Sequence, residues 1–258
     1  MDSPDIIELI SELSPIQQAM LFHTLYAPGS GVYVLQTSLR LTGRLNVSAF
    51  ERAWRHIVSR HGILRAAFFW EDLEKPAQVV YRRAEPKIER LSWRGLDAGE
   101  QRARLAGFLE SDRERGFVLS EAPLMRLALI ELGADVHQLV WTQHHMVVDG
   151  WSQGQVLKEL LTAYAAFAGG RQPRLERPRS YREYIAWLQR QDLGQAESFW
   201  RASLAGFTSP ALLANGNGRG EGPTHREMRR RDLALSPAAS AALREMARRH
   251  RLTLNTLV

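Results

Sequence analysis

Cysteine is absent from all 258 residues, which excludes disulfides, thiolate catalysis and cysteine-ligated metal sites. Long hydrophobic runs are absent too. The most apolar stretch, Leu160 to Ala168, is broken by polar residues and falls short of the roughly 20 residues of a membrane span. No glycine-rich phosphate loop occurs. Gly216, Gly218 and Gly220 follow no predicted strand and lack a Lys-Ser/Thr ending, so they predict a flexible linker. The acidic N-terminus, with Asp2, Asp5 and Glu8, lacks the basic start and apolar stretch of a secretory signal and points to the cytoplasm. Arg229 to Arg231 and Arg248-Arg249 carry no interleaved aromatics, so the net charge of +6 reads as solvated faces rather than a nucleic-acid surface. The chemistry must therefore rest on histidine, carboxylate or hydroxyl groups.

What is present is an ordinary globular composition, 45% hydrophobic and 24% charged, in a chain long enough for one large domain or two lobes. Ser14, Pro15 and Gln17 predict a helix opened by a capping box and running to about Tyr26. Tyr33, Leu35, Thr37, Leu39 and Leu41 alternate as in a half-buried strand, whereas Phe50, Ala53, Trp54, Ile57 and Val58 recur at helical spacing until Gly62, read as a left-handed stop. Strands are predicted over 63–70 and 78–83, a surface helix over 97–115, and a hairpin of 124–132 with 136–143 around Gly133-Ala134-Asp135. Ser152 with Gln155 reads as a second capping box. Residues 169–179 are rich in proline and arginine and read as a crossover. Ser180 and Glu183 open a helix continuing to about Leu204, with a kink near Gly194. A strand near 226–235 and a helix opened by Ser236-Pro237 follow. No stop signal closes the apolar segment Leu254 to Val258, so the terminus reads as a cut inside a larger domain.

The most specific feature is His144-His145-Met146-Val147-Val148-Asp149-Gly150, placed between the second hairpin strand and the helix after it. An imidazole exchanges protons near neutrality, and a carboxylate four residues on can fix the loop that carries it. Strand-to-helix loops are where a rigid scaffold commonly holds reactive groups. Adjacent histidines at a strand end face opposite sides and cannot readily share one ion, so no metal site is expected. His23 and His61 read as surface or capping residues, and Tyr181, Tyr184 and Trp187 as packing on one helical face.

With these residues in place, the chain resembles the condensation domain of nonribosomal peptide synthetases. Leu13–His23 is similar to that family's opening helix, Arg60–Phe68 to its second motif, His144–Gly150 to its HHxxxDG signature and Tyr181–Trp187 to its fourth motif, in the family's order and spacing. The resemblance implies an α/β fold like chloramphenicol acetyltransferase, with two lobes in a V and the histidine motif at the floor of a tunnel between them. Residues 1–175 would form the N-terminal lobe, a mixed sheet flanked by helices. Residues 176–258 would form the crossover and the truncated beginning of the second lobe. It further implies amide formation between a donor acyl or peptidyl thioester and the amine of an acceptor aminoacyl thioester. Both would be held on phosphopantetheine arms of upstream and downstream peptidyl carrier protein domains, with adjacent synthetase domains as neighbours and no cofactor bound directly. An α-amine with a pKa of roughly 8 is partly neutral near pH 7. The reaction chiefly needs alignment, worth roughly 7 to 11 kcal/mol in favourable cases, and an acceptor for the proton of the adduct. By resemblance His145 is that acceptor or an amine-orienting group, Asp149 pairs with Arg65 to hold the loop, Gly150 permits close backbone approach, and His144 is structural.

Alternatives stay open on the sequence alone. An epimerization domain shares fold and signature but expects Val-Ser-Trp after Asp-Gly, where this chain has Trp151-Ser152. Heterocyclization domains replace the first histidine by aspartate, and free-standing coenzyme A acyltransferases lack the other three motifs. Residues Gln18 to His23 lean toward branches accepting a D-configured donor. A noncatalytic carrier-docking module is the reading from a different class.

Overall fold

The computed structural model describes residues 6–209 and 233–257. They fall into two compact units, Met1–Thr208 and Ser209–Val258. The first contains β1 (Ile7–Glu12), α1 (Pro15–Tyr26), β2 (Val34–Thr42), α2 (Val47–Arg60), a 3-10 turn (Gly62–Arg65), β3 (Ala66–Phe69), β4 (Ala77–Tyr81), β5 (Ile88–Ser92), α3 (Ala98–Glu114), β6 (Met125–Gly133), β7 (Val136–His144), α4 (Gly150–Ala168), α5 (Tyr181–Leu188) and α6 (Leu193–Ser203). The second contains α7 (Pro237–Arg249) and α8 (Leu254–Leu257). The class is α/β, and no helix among the described residues is long and apolar enough to cross a membrane.

Alternation along β6 and β7 explains the layering. Leu127, Leu129, Leu139 and Trp141 point into a large core with α2 and α4, where Trp54 meets Trp141 edge-on at 5.1 Å. Ala128, Ile130 and Val140, one residue out of phase, form a second cluster with Trp93 and the α3 residues Leu105, Phe108 and Leu109. The sheet order is β2-β7-β6-β5, with β5 parallel to β6 and the other pairs antiparallel. Covered on both faces, β7 is buried from His137 to its end at His144. A separate antiparallel sheet runs β1-β4-β3.

The expected Ser14 capping box, the buried stripe of α2, the β6–β7 hairpin and the Ser236 cap are all present. Several boundaries differ. Gly62 is not left-handed: α2 ends at His61, and Gly62 opens the 3-10 turn, where an added Cβ would meet Val80 Cγ1 at 3.3 Å. Its small size therefore serves close packing against β4. The expected helix 180–204 is two helices, because Asp192 offers its carboxylate to the N–H groups of Gly194 and Gln195 and starts a new one. Periodicity does not reveal β1 and β5, which are short strands at sheet edges. The glycine-rich segment and most of the expected strand at 226–235 lie outside the described residues. The boundary between the compact units falls beyond the crossover expected from 176, since α5 contacts β1 and the Tyr181 hydroxyl donates to Ser14 Oγ at 3.2 Å.

A buried ion pair ties α3 to the sheet. Asp112 Oδ1 accepts from Arg126 Nε at 2.8 Å and from Arg115 Nη2 at 2.8 Å, and Oδ2 accepts from Gln36 Nε2 at 3.2 Å. The Arg126 guanidinium also lies 4.2 Å over the ring of Phe117. Burial opposes ionisation of Asp112, but hydrogen bonds from Arg126, Thr142 and Gln36, with the charge of Arg126, outweigh it and hold the carboxyl below its ordinary 3.8. Because the folded value is depressed, this stabilisation is complete above the ordinary carboxylate range and is lost as pH falls through the folded value. Asp112→Asn should cost about 3 kcal/mol at pH 7 by leaving Arg126 uncompensated. In urea denaturation the gap from wild type should close below about pH 3; a gap independent of pH would contradict this account.

Candidate active site

The histidine turn begins where β7 runs out of partners. His144, paired with Val34, still donates its N–H to Leu124 O at 3.1 Å, and His145 donates its own to Tyr33 O at 2.8 Å. Val147 N–H then returns to His144 O at 3.1 Å and closes the turn. Tyr33 receives His145 from a left-handed backbone, φ +61°, and its ring lies 6.4 Å from that of His144 and 6.3 Å from that of His145.

The two imidazoles are placed in opposite circumstances. His144 is 1% exposed, with its pKa pushed down to about 4 by burial and, secondarily, by the charge His145 can carry. Its Nδ1 accepts the Met146 N–H at 3.3 Å, so the proton of the neutral ring sits on Nε2, facing Thr24 Oγ1 at 3.4 Å. The Thr24 hydroxyl donates its own proton to Met20 O at 2.8 Å. Phe117 meets the same ring edge-on at 6.2 Å. His144 is thus neutral and locked.

His145 is half-buried, and its Nδ1 lies 3.0 Å from Val148 O. A carbonyl can only accept, so Nδ1 carries the proton and Nε2 keeps its lone pair. Among the described residues no hydrogen-bond partner takes that lone pair. The group left available is one basic nitrogen held in a fixed tautomer.

Asp149 and Arg65 do not form the expected pair. Asp149 is exposed and caps α4, its Oδ1 accepting Ser152 N–H at 2.7 Å. The backbone hydrogen bond from Ser152 holds its carboxyl below the usual range. Helix α4 accordingly begins at Gly150, and the capping box expected at Ser152 does not form. Arg65 is 4% exposed and directed elsewhere. It donates from Nε to Val58 O at 3.2 Å, from Nη1 to Tyr81 O, and from Nη1 to Glu8 Oε2 at 2.7 Å. Nor does Gly150 admit a close backbone approach, since a Cβ there would meet nothing within 4 Å. No described group of three or more His, Cys, Asp or Glu residues could hold a metal ion.

The turn helps wall two cavities. One of about 230 Å³ is lined by His144, Thr24, Phe117 and residues 27–32. Another of about 500 Å³ is lined by Val147, Val148, Trp151, Gln155 and Glu159, with Arg177 and Arg179. Trp151, in the first turn of α4, is 92% exposed. Glu159, unremarked in the sequence, is 7% exposed and accepts from Arg60 Nε at 2.9 Å and Gln155 Nε2 at 2.9 Å, with His61 Nε2 at 2.8 Å. His61 is therefore more than a capping residue. A carboxylate inside an apolar stripe is a weak sequence signal because its partners come from another helix.

The family profile of the condensation domain matches residues 7–258. Over 253 residues the chain is 46% identical to part of the linear gramicidin synthase of Brevibacillus parabrevis, covering 98% of this chain and 5% of that one. It is 33% identical to bacitracin synthase 1 of Bacillus licheniformis over 254 residues, again 98% and 5%. The chain thus spans about a twentieth of the length of these relatives. Its fold is similar to that of the first condensation domain of the calcium-dependent antibiotic synthetase, solved with a substrate analogue: TM-score 0.77, 20% identity, 96% of this chain and 58% of that one. A mutant of the starter condensation domain of rhizomide synthetase gives TM-score 0.72 at 21% identity, covering 81% and 51%. Motifs, sequence identity and fold agree, and the chain belongs to the condensation-domain family of nonribosomal peptide synthetases.

Proposed function

We propose that the chain supplies the histidine-bearing part of a catalyst that joins two carrier-bound thioesters through an amide bond. Residues 1–175 serve as its N-terminal lobe, and 176–258 as the crossover and the start of the second. Upstream and downstream peptidyl carrier domains of the same assembly deliver the substrates on phosphopantetheine arms. The observation that carries this reading is the tautomer of His145, whose Nδ1–H is committed to Val148 O while Nε2 is available. In the reaction the acceptor amine attacks the donor thioester carbonyl, a C–N bond forms and the C–S bond breaks. One amine proton is taken at His145 Nε2 and returned to the departing thiolate, leaving an amide and a free thiol. An imidazole matches this exchange because it is neither too weak to accept nor too strong to release near pH 7. His144, neutral and enclosed, keeps the turn in shape and takes no part in proton transfer.

His145→Ala in the complete synthetase should reduce amide formation at least ~100-fold, the usual scale of a lost acid–base group, with the fold intact. The assay incubates donor- and acceptor-loaded carriers with the protein and follows amide product by mass spectrometry. A variant retaining most of the rate would remove His145 from the mechanism, and carrier binding without product in the wild type would favour a docking module instead.

Asp149 acts through α4 as its cap, so Asp149→Ala should lower stability by about 1 kcal/mol, the value of a lost N-cap, rather than the several kcal/mol of a broken buried pair. Asp149→Asn, which can still cap, should retain most of that stability. Thermal denaturation of both variants decides between capping and a hidden ionic role.

A further inference from the structure

The geometry points to Gln17 as a positioning residue for His145, acting through the backbone of the histidine turn; the inference rests on the reading of His145 above. Gln17 lies in the first turn of α1 and is 2% exposed, and all the hydrogen bonds of its amide are directed. Oε1 accepts Ser14 N–H at 3.0 Å, completing the capping box. Nε2 donates twice, to Gln78 Oε1 at 2.9 Å and to Met146 O at 3.1 Å. A capping box needs only the first of these bonds. The bond to Met146 O spans 129 positions in sequence and lands inside the turn, between His145 and the Val148 carbonyl that fixes its ring.

The turn is therefore held from two sides. The His144 imidazole takes Met146 N–H and the His144 carbonyl takes Val147 N–H. From the opposite element, Gln17 takes the one carbonyl that lies between them. Without that donor Met146 O is a buried acceptor with nothing to accept, and the peptide has reason to rotate toward another partner. Rotation there displaces Val148 O, and the Nδ1 proton of His145 loses the acceptor that selects its tautomer. Gln17 itself is anchored outward, since its N–H donates to Ser14 Oγ at 3.3 Å and the same oxygen accepts the Tyr181 hydroxyl of α5. The first, third and fourth motifs thus meet in one hydrogen-bonded line ending at the histidine turn.

The test reads the His145 ring directly, by 15N NMR of the full chain with labelled histidine, at a pH where imidazoles are neutral. His145→Gln identifies the resonance. Wild type should show a protonated Nδ1 and a pyridine-like Nε2. In Gln17→Met both signals should move toward the average of the two tautomers. Gln78→Met removes a neighbour of equal burial but leaves the Gln17–Met146 bond, and should keep the wild-type pattern. Should Gln17→Met fail to fold, Gln17→Glu preserves the capping box yet, at pH 9, has no proton to donate to Met146 O and should show the same loss. Unchanged His145 signals in a folded Gln17 variant, or equal disturbance in Gln78→Met, would overturn the inference. Because no turnover is measured, this result is independent of whether amide formation is detected.

Discussion

The ring of His144 is closed off from water and accepts a backbone N–H at Nδ1, an arrangement open only to a neutral imidazole. That requirement shapes its surroundings. Burial keeps the ring uncharged, Thr24 and Phe117 fill its remaining sides, and the peptide N–H that would otherwise be stranded at the end of β7 is satisfied from within the turn. With one imidazole consumed in this way, the next residue is free to present its ring on the other side. Catalytic geometry at His145 is thus derived from a packing decision one residue earlier.

The same demand for partners governs the charges. A buried guanidinium needs acceptors in several directions. Arg65 finds them at the end of α2, on β4 and on β1, so it joins the small sheet to the helix preceding it. Asp149, released from that duty, satisfies the first turn of α4. What resembles a single ionic contact between two motifs is two separate local solutions, one buried and one solvated.

How much of this is legible in the sequence follows from the range of each interaction. Caps and stripes act within four residues, so Ser14, Asn46, Ser180 and Ser236 or the α2 apolar face leave plain marks, although Asp149 outcompetes Ser152 because its carboxylate reaches the same N–H groups three residues earlier. Gly62 misleads because sequence cannot distinguish a glycine kept for its φ from one kept for proximity to Val80. The partners of Arg65, Glu159 and Gln17 lie 57, 99 and 129 positions away, and no periodicity encodes them. The four motifs nevertheless place the reactive loop, since the motif residues themselves are local even where their contacts are not.

The backbone of Tyr33 holds a conformation that costs a side-chain-bearing residue about 1 to 2 kcal/mol, and its carbonyl receives His145. Stability and ring placement therefore pull apart at this position. Glycine would relax the chain and raise its melting point, yet remove the aromatic ring that touches both histidines. A lineage or a directed-evolution campaign selected for heat tolerance alone would drift toward that exchange, leaving a more robust protein whose reactive loop has lost one of its walls.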